Sequence, residues 1–120
     1  MPVEIPIEKW TGKIREVKLG GGKRKEVIVG GENTLPFLTF EGSIPHPPRV
    51  AIEIQDKEPA NWAASLLSAW GDAVKDPAIW AKKAVEFGAE IIVVRLVSAH
   101  PESGNTGADE AKKTVDKVLT

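Results

Sequence analysis

The side chains in this chain that could do chemistry cluster in two short polar loops, each at the end of an apolar run. Gln55 and Asp56 close the run Arg49-Val50-Ala51-Ile52-Glu53-Ile54, and the loop continues Lys57-Glu58-Pro59. Ser98 and His100 follow the run Glu90-Ile91-Ile92-Val93-Val94-Arg95-Leu96 and lead into Pro101-Glu102-Ser103. Both runs read as strands, and each loop is followed by an amphipathic helix. Strands separated by helices imply parallel pairing through right-handed crossovers. Ligands in such folds sit at the carboxyl ends of the strands. Gln55, Asp56, Ser98 and His100 are therefore the candidate ligand contacts.

A second pair lies within the strands. Val50, Ile52 and Ile54 share one face, with Ala51, Glu53 and Gln55 on the other. Ile92, Val94 and Leu96 likewise stand opposite Ile91, Val93 and Arg95. The aliphatic faces must meet the helices, which places Glu53 and Arg95 in one interior layer of neighbouring strands. There they either pair with each other, the simpler structural reading, or hold a polar ligand. A lone histidine beside a proline is more often a surface or hydrogen-bonding residue than a ligand. His46, the only other histidine, lies before the first of these strands. A histidine-based metal site is not expected. The chain has no nucleophile elbow, dinucleotide fingerprint or Ser/His/Asp arrangement, so its chemistry alone does not indicate an enzyme.

Composition narrows the classes further. With 120 residues the chain forms one domain or part of one. Sixteen basic residues against seventeen acidic ones leave no electrostatic footprint for nucleic acid or an anionic membrane. No apolar run approaches the ~20 residues of a membrane span, and Met1-Pro2-Val3-Glu4-Ile5-Pro6 lacks the features of a signal peptide. The absence of cysteine excludes disulfides, thiolate zinc sites and iron-sulfur ligation by these residues. A cytoplasmic protein is the expectation.

Around the two units the chain divides into residues 1–31, 32–48 and 49–120. Residues 13–19 alternate charged and apolar, residues 25–29 form a second short apolar segment, and Gly20-Gly21-Gly22-Lys23-Arg24 joins them as an antiparallel hairpin with a basic tip. Gly-Gly-Gly-Lys lacks the spacing and hydroxyl of a phosphate loop, so a solvated turn is expected. Residues 32–48 are rich in proline but carry Leu35, Phe37, Leu38 and Phe40, which predicts a loop packed against the domain. Residues 60–70 predict an extra short helix. Asp76, Pro77 and Gly88 mark the cap, first turn and end of the next helix, with Trp80, Ala84 and Phe87, flanked by Ala81 and Val85, as its apolar stripe. Trp62, Trp70 and Trp80 should pack one corner. A last helix should start near Thr106, with Asp109 in a weak capping box and Ala108, Ala111, Val115 and Val118 on its apolar face.

Several of these stretches together resemble one family. They are Val29-Gly30-Gly31-Glu32-Asn33-Thr34-Leu35-Pro36-Phe37, Phe40-Glu41-Gly42, Ile52-Glu53-Ile54-Gln55-Asp56, Asp76-Pro77, Trp80-Ala81-Lys82-Lys83 and Gly88-Ala89-Glu90. They look like the amino-terminal part of the small subunit of the corrinoid iron-sulfur protein, the delta subunit of the acetyl-CoA decarbonylase/synthase complex of anaerobes. The Gly-Gly to Phe-Glu-Gly run is the specific part. The resemblance implies an α/β fold, the first part of a (β/α)8 TIM-type barrel with two βα units preceded by an N-terminal β-hairpin. It implies a non-catalytic subunit that helps hold and shelter a corrinoid (cobalamin) shared with a large corrinoid iron-sulfur subunit. The iron-sulfur cluster would lie on that partner, which agrees with the lack of cysteine here. The complex would pass a methyl group from a methyl-tetrahydropterin to acetyl-CoA synthase in the acetyl-CoA pathway, a route of carbon fixation. A methyltransferase and acetyl-CoA synthase would be transient partners; no nucleic acid or membrane is implied. Relatives tend to have Asp before the proline where this chain has His100.

A barrel of this kind takes eight units and ~250 residues, whereas the sequence shows two units. A fragment, or completion by another polypeptide, is the expectation, because two parallel strands leave edges and helix faces uncovered. Two other readings stand beside the first: an active pterin-dependent methyltransferase barrel, and an unrelated small αβ domain that binds a protein through its hairpin and proline-rich segment.

Overall fold

The structure is a computed structural model that describes residues 2–38 and 40–120. Two compact units divide it, Met1–Arg49 and Val50–Thr120. The first contains β1 (Val17–Leu19) and β2 (Val27–Val29); the second contains β3 (Ala51–Gln55), α1 (Ala64–Trp70), α2 (Pro77–Glu86), β4 (Ile91–Arg95) and α3 (Ala108–Leu119). Short 3-10 turns at Gly71–Lys75, Val97–Ala99 and Pro101–Ser103 join the later elements.

In the first unit β1 and β2 pair antiparallel, with Val17 opposite Val29 and Leu19 opposite Val27. At the open end of the hairpin the chain uses glycine, which can take the left-handed backbone that other residues avoid. Gly30 has φ of +85°, and a Cβ there would lie 2.2 Å from the Arg15 carbonyl oxygen, so no larger residue fits. The proline-rich segment corrects one expectation. Leu35, Phe37 and Phe40 are exposed, Phe37 by 75%. Turns satisfy the backbone locally: Leu35 O accepts from Leu38 N and Leu38 O from Glu41 N, both at 2.9 Å, and the Thr34 hydroxyl donates to Leu38 O at 2.8 Å. With its polar groups paired in this way, the segment needs no sheet to pack against. Thr39, part of the same stretch, lies outside the described residues.

In the second unit β3 and β4 pair in parallel, Ala51 with Ile91 through Gln55 with Arg95. Ile54, Val74, Trp80, Ala81, Ala84 and Ala89 form the buried core, with Ile52, Ile92, Val94, Trp62, Leu67, Trp70 and Val118 packed on it. The aliphatic parity of both strands therefore faces the helices. Trp62 and Trp70 meet Trp80 edge-on, with ring centroids 5.4 and 6.1 Å apart, the geometry that aromatic quadrupoles favour. The stripe of α2 is shifted from its expected position. Ala81 joins the core while Val85 and Phe87 are largely exposed, although Phe87 still meets the Trp70 ring at 5.0 Å.

Both ends of α2 follow from sequence. Asp76 Oδ1 accepts from Ala78 N and Ile79 N at 2.8 and 3.2 Å, filling two of the donors a helix start leaves open. At the other end Ala89 N donates to Ala84 O and Gly88 N to Val85 O, with Gly88 at φ of +99°. That is a Schellman turn, and it delivers the chain directly into β4 through Glu90 N, which donates to Val50 O at 2.9 Å. The start of α3 differs from expectation. Gly107 is the N-cap and no side chain caps the helix, because the Thr106 hydroxyl is engaged elsewhere. The overall class is mixed α/β with two open two-stranded sheets among the described residues and no closed barrel.

Candidate functional site

The parallel register places the two candidate loops side by side, and the ladder continues one step past the strands, where Asp56 N donates to Arg95 O at 3.3 Å. The Asp56 carboxylate then reaches across to the second loop. Its Oδ1 accepts from Ser98 N at 3.2 Å, and its Oδ2 accepts from the Ser98 hydroxyl. Ser98 Oγ also lies 2.7 Å from Thr106 Oγ1, and Thr106 N donates to Ser98 O at 3.0 Å. One carboxylate thus joins residues 42 positions apart and, through Ser98, extends its hold to Thr106, next to the N-cap of α3. Lys57 adds a second link, donating from Nζ to Ser103 O at 2.9 Å.

The loop after β4 is built rather than slack. Ser103 N and Asn105 N both donate to His100 O, at 2.9 and 3.1 Å. The imidazole is used as well: His100 Nδ1 accepts from Glu102 N at 3.2 Å. A neutral imidazole that accepts at Nδ1 carries its proton on Nε2, so the exposed ring offers a hydrogen-bond donor.

Of the four candidate contacts, Asp56 and Ser98 are thus joined to each other, and their hydrogen-bonding groups are used within the fold. Gln55 is half-buried on the last rung of β3, and His100 lies in the exposed part of the adjoining loop. Glu53 and Arg95 share the sheet face opposite the helices, with Glu53 Oε1 3.6 Å from Arg95 Nη1 and side chains 49% and 63% exposed. At that exposure an ion pair contributes ~0–1 kcal/mol, not the larger figure that an interior layer would carry. Thr106 and Lys57 also belong to the site, and the sequence reading misses both. Thr106 reads as a helix start, and no short-range signal ties it to a serine eight positions earlier.

Among the described residues, no group of three or more histidine, cysteine, aspartate or glutamate side chains could hold a metal ion. No described helix is long and apolar enough to cross a membrane. The first unit has its own concavity of about 450 Å³ lined by Trp10, Lys13, Ile14, Glu32, Asn33 and Leu35 among others. None of the six nominated residues borders it.

The sequence model of the family described as "CO dehydrogenase/acetyl-CoA synthase delta subunit" matches residues 16–120. The chain is similar to the acetyl-CoA decarbonylase/synthase complex subunit delta of Archaeoglobus fulgidus, 40% identical over 119 residues, covering 93% of this chain and 26% of that protein. It is 39% identical over 120 residues to subunit delta 1 of the same complex from Methanosarcina thermophila, covering 94% of this chain and 27% of the relative. The subunit delta of Methanocaldococcus jannaschii is 36% identical over 122 residues, covering 97% and 30%. The chain therefore spans between a quarter and a third of the length of these relatives, at their amino-terminal part.

Proposed function

The chain belongs to the CO dehydrogenase/acetyl-CoA synthase delta-subunit family, and we propose that it forms the opening segment of a non-catalytic barrel subunit in a corrinoid iron-sulfur methyl carrier. Its relatives are named as subunits of a multi-subunit acetyl-CoA decarbonylase/synthase complex, which supports an assembly role. In this reading the large corrinoid iron-sulfur subunit is the lasting partner. A methyltransferase and acetyl-CoA synthase are transient ones, and the cytoplasm is the compartment. The two βα units would be the first of a TIM-type barrel, with the open sheet face of Glu53 and Arg95 turned to its interior.

The observation that carries the reading beyond the family is the Asp56–Ser98–Thr106 tie, which fixes two loops at the strand carboxyl ends, where barrels hold ligands. A corrinoid presents amide groups around its ring, and the residues present fit such a periphery. The Gln55 amide and the His100 Nε2 donor would meet it, while Asp56 and Ser98 hold the loops in place. When bound, the corrinoid supplies the cobalt that carries the methyl group. The one carboxylate among the four contacts is used to join the loops, which supports a holding role for them.

The test is to combine the intact subunit with a candidate large corrinoid subunit and follow co-elution, corrinoid retention and methyl transfer. Co-elution with retained corrinoid, and no transfer by the subunit alone, is the expected result. Methyl transfer from a methyl-tetrahydropterin to free cobalamin by the subunit alone would instead establish the methyltransferase reading.

A further inference from the structure

Residues 2–8, Pro-Val-Glu-Ile-Pro-Ile-Glu, precede the stretch matched by the family model and form no helix, strand or turn. They nevertheless expose three aliphatic side chains in a row of alternate positions: Val3 by 89%, Ile5 by 62% and Ile7 by 55%. In an extended segment, successive residues turn their N–H and C=O to opposite edges and their side chains to opposite faces. Pro2 and Pro6 have the same parity, so the edge they share with Glu4 and Glu8 lacks two donors. The edge of Val3, Ile5 and Ile7 keeps every donor and acceptor. Drawn out as a strand, the segment would have one pairing edge, one edge blunted by proline, one aliphatic face and one face carrying two carboxylates. Proline on a single edge is how a strand can add to a sheet without recruiting further strands.

We infer that this arm pairs with the outer edge of β1 in a second copy of the chain, exchanging arms between two protomers. The two strands of the hairpin have only each other as partners among the described residues, so each keeps an open edge. Of the two, β2 has Val27 buried, while all of β1 is exposed, Val17 and Leu19 included. Charge complements the apolar match. Residues 13–26 carry six basic side chains against two acidic ones, whereas residues 2–8 carry two acidic and no basic ones. One acid of the hairpin, Glu26, is already paired with Lys18 at 3.0 Å, and the other, Glu16, with His46 at 2.7 Å. The surplus is thus positive where the acidic arm would lie. The inference concerns self-association and goes beyond the carrier role proposed above; either can fail without the other.

The test uses these 120 residues, which contain no cysteine, so that introduced thiols are the only ones in them. Sedimentation should show a concentration-dependent dimer that weakens as salt is raised. Ile5→Pro removes a donor from the pairing edge and should raise the dimer dissociation constant about tenfold, whereas Pro6→Ala, on the blunted edge, should not weaken it. Neither position is buried, so thermal melts should match the parent chain at concentrations where both are monomeric. Mixing singly substituted Ile5→Cys and Leu19→Cys chains under oxidising conditions should give a mixed covalent dimer in preference to either like pair. A monomer at all concentrations, or a dimer indifferent to Ile5→Pro, overturns the proposal. So does a doubly substituted chain that closes only on itself while the mixed dimer fails to form, since the arm would then cover its own hairpin.

Discussion

The two units solve the same problem, holding a short two-stranded sheet, by opposite means. Val50–Thr120 lays one face of β3 and β4 on a core built around Ile54 and Trp80, both fully buried. Among the described residues of Met1–Arg49, Val27 is the one buried hydrophobic side chain. That hairpin relies on hydrogen bonds and special backbone: Ser43 N donates to Asn33 Oδ1 at 2.6 Å, Gly31 N to Ile14 O at 3.1 Å, and His46 pairs with Glu16. Apolar burial is non-directional and tolerates small shifts, whereas a hydrogen-bonded hairpin depends on a few positions having one geometry. Substitutions should therefore have different profiles in the two units.

The largest expected effect is on the cored unit. Trp80→Ala should cost about 3–5 kcal/mol, measured by denaturant unfolding, while Phe37→Ser in the exposed loop should stay within about 0.5 kcal/mol. Equal effects would mean that Phe37 is covered. In the hairpin unit Gly30→Ala forces a side chain into left-handed backbone and against the Arg15 carbonyl. A cost of roughly 1–3 kcal/mol and loss of amide protection across β1 and β2 are expected, and unchanged protection would show that the hairpin does not depend on the close approach at Gly30.

Asp56→Ala leaves the Ser98 amide and hydroxyl without their acceptor and should cost on the order of 1–2 kcal/mol, with faster amide exchange at Ser98 and Thr106. Asp56→Asn keeps one acceptor and should fall between. No change in exchange would separate the strand-end loops from this tie.

The smallest effect concerns Glu16. The hydrogen bond from His46 holds its carboxyl below the ordinary glutamate range; partial burial opposes this, and the positive charges of His46 and Lys13 add to it. A depressed carboxyl stabilises the fold above its unfolded value, and that contribution is lost as pH falls through the folded value. The difference between the parent chain and Glu16→Gln should thus be steady at neutral pH and shrink in acid, as followed by hairpin amide exchange across a pH series. A difference that grows in acid would reverse the assignment.

Much of the architecture can be read without coordinates, and the readable parts share a property. The ends of α2 are set by Asp76, Pro77 and Gly88, residues within a few positions of the groups they satisfy. The parity of Ile52, Ile54, Ile92 and Val94 sets which face of the sheet meets the helices, because a strand alternates regardless of its neighbours. The resemblance to the delta-subunit family is likewise carried by short runs such as Gly30-Gly31 and Phe40-Glu41-Gly42. At the site, sequence nominates the loops but not their internal wiring.

The features legible in residue types are thus local ones: the strand and helix positions, the buried parity, the glycine turns and the short runs that mark the family. Three others exist only in the folded chain: Asp56 reaches Ser98, Thr106 gives its hydroxyl to that tie and not to the cap of α3, and Phe37 stays exposed. The reason is physical. Local geometry depends on steric and hydrogen-bonding preferences within a turn or two of chain, which residue types encode directly. A contact between residues 42 apart depends on the register of β3 with β4 and on the path of the loop between them, and competing partners for one hydroxyl are ranked only once both are in reach.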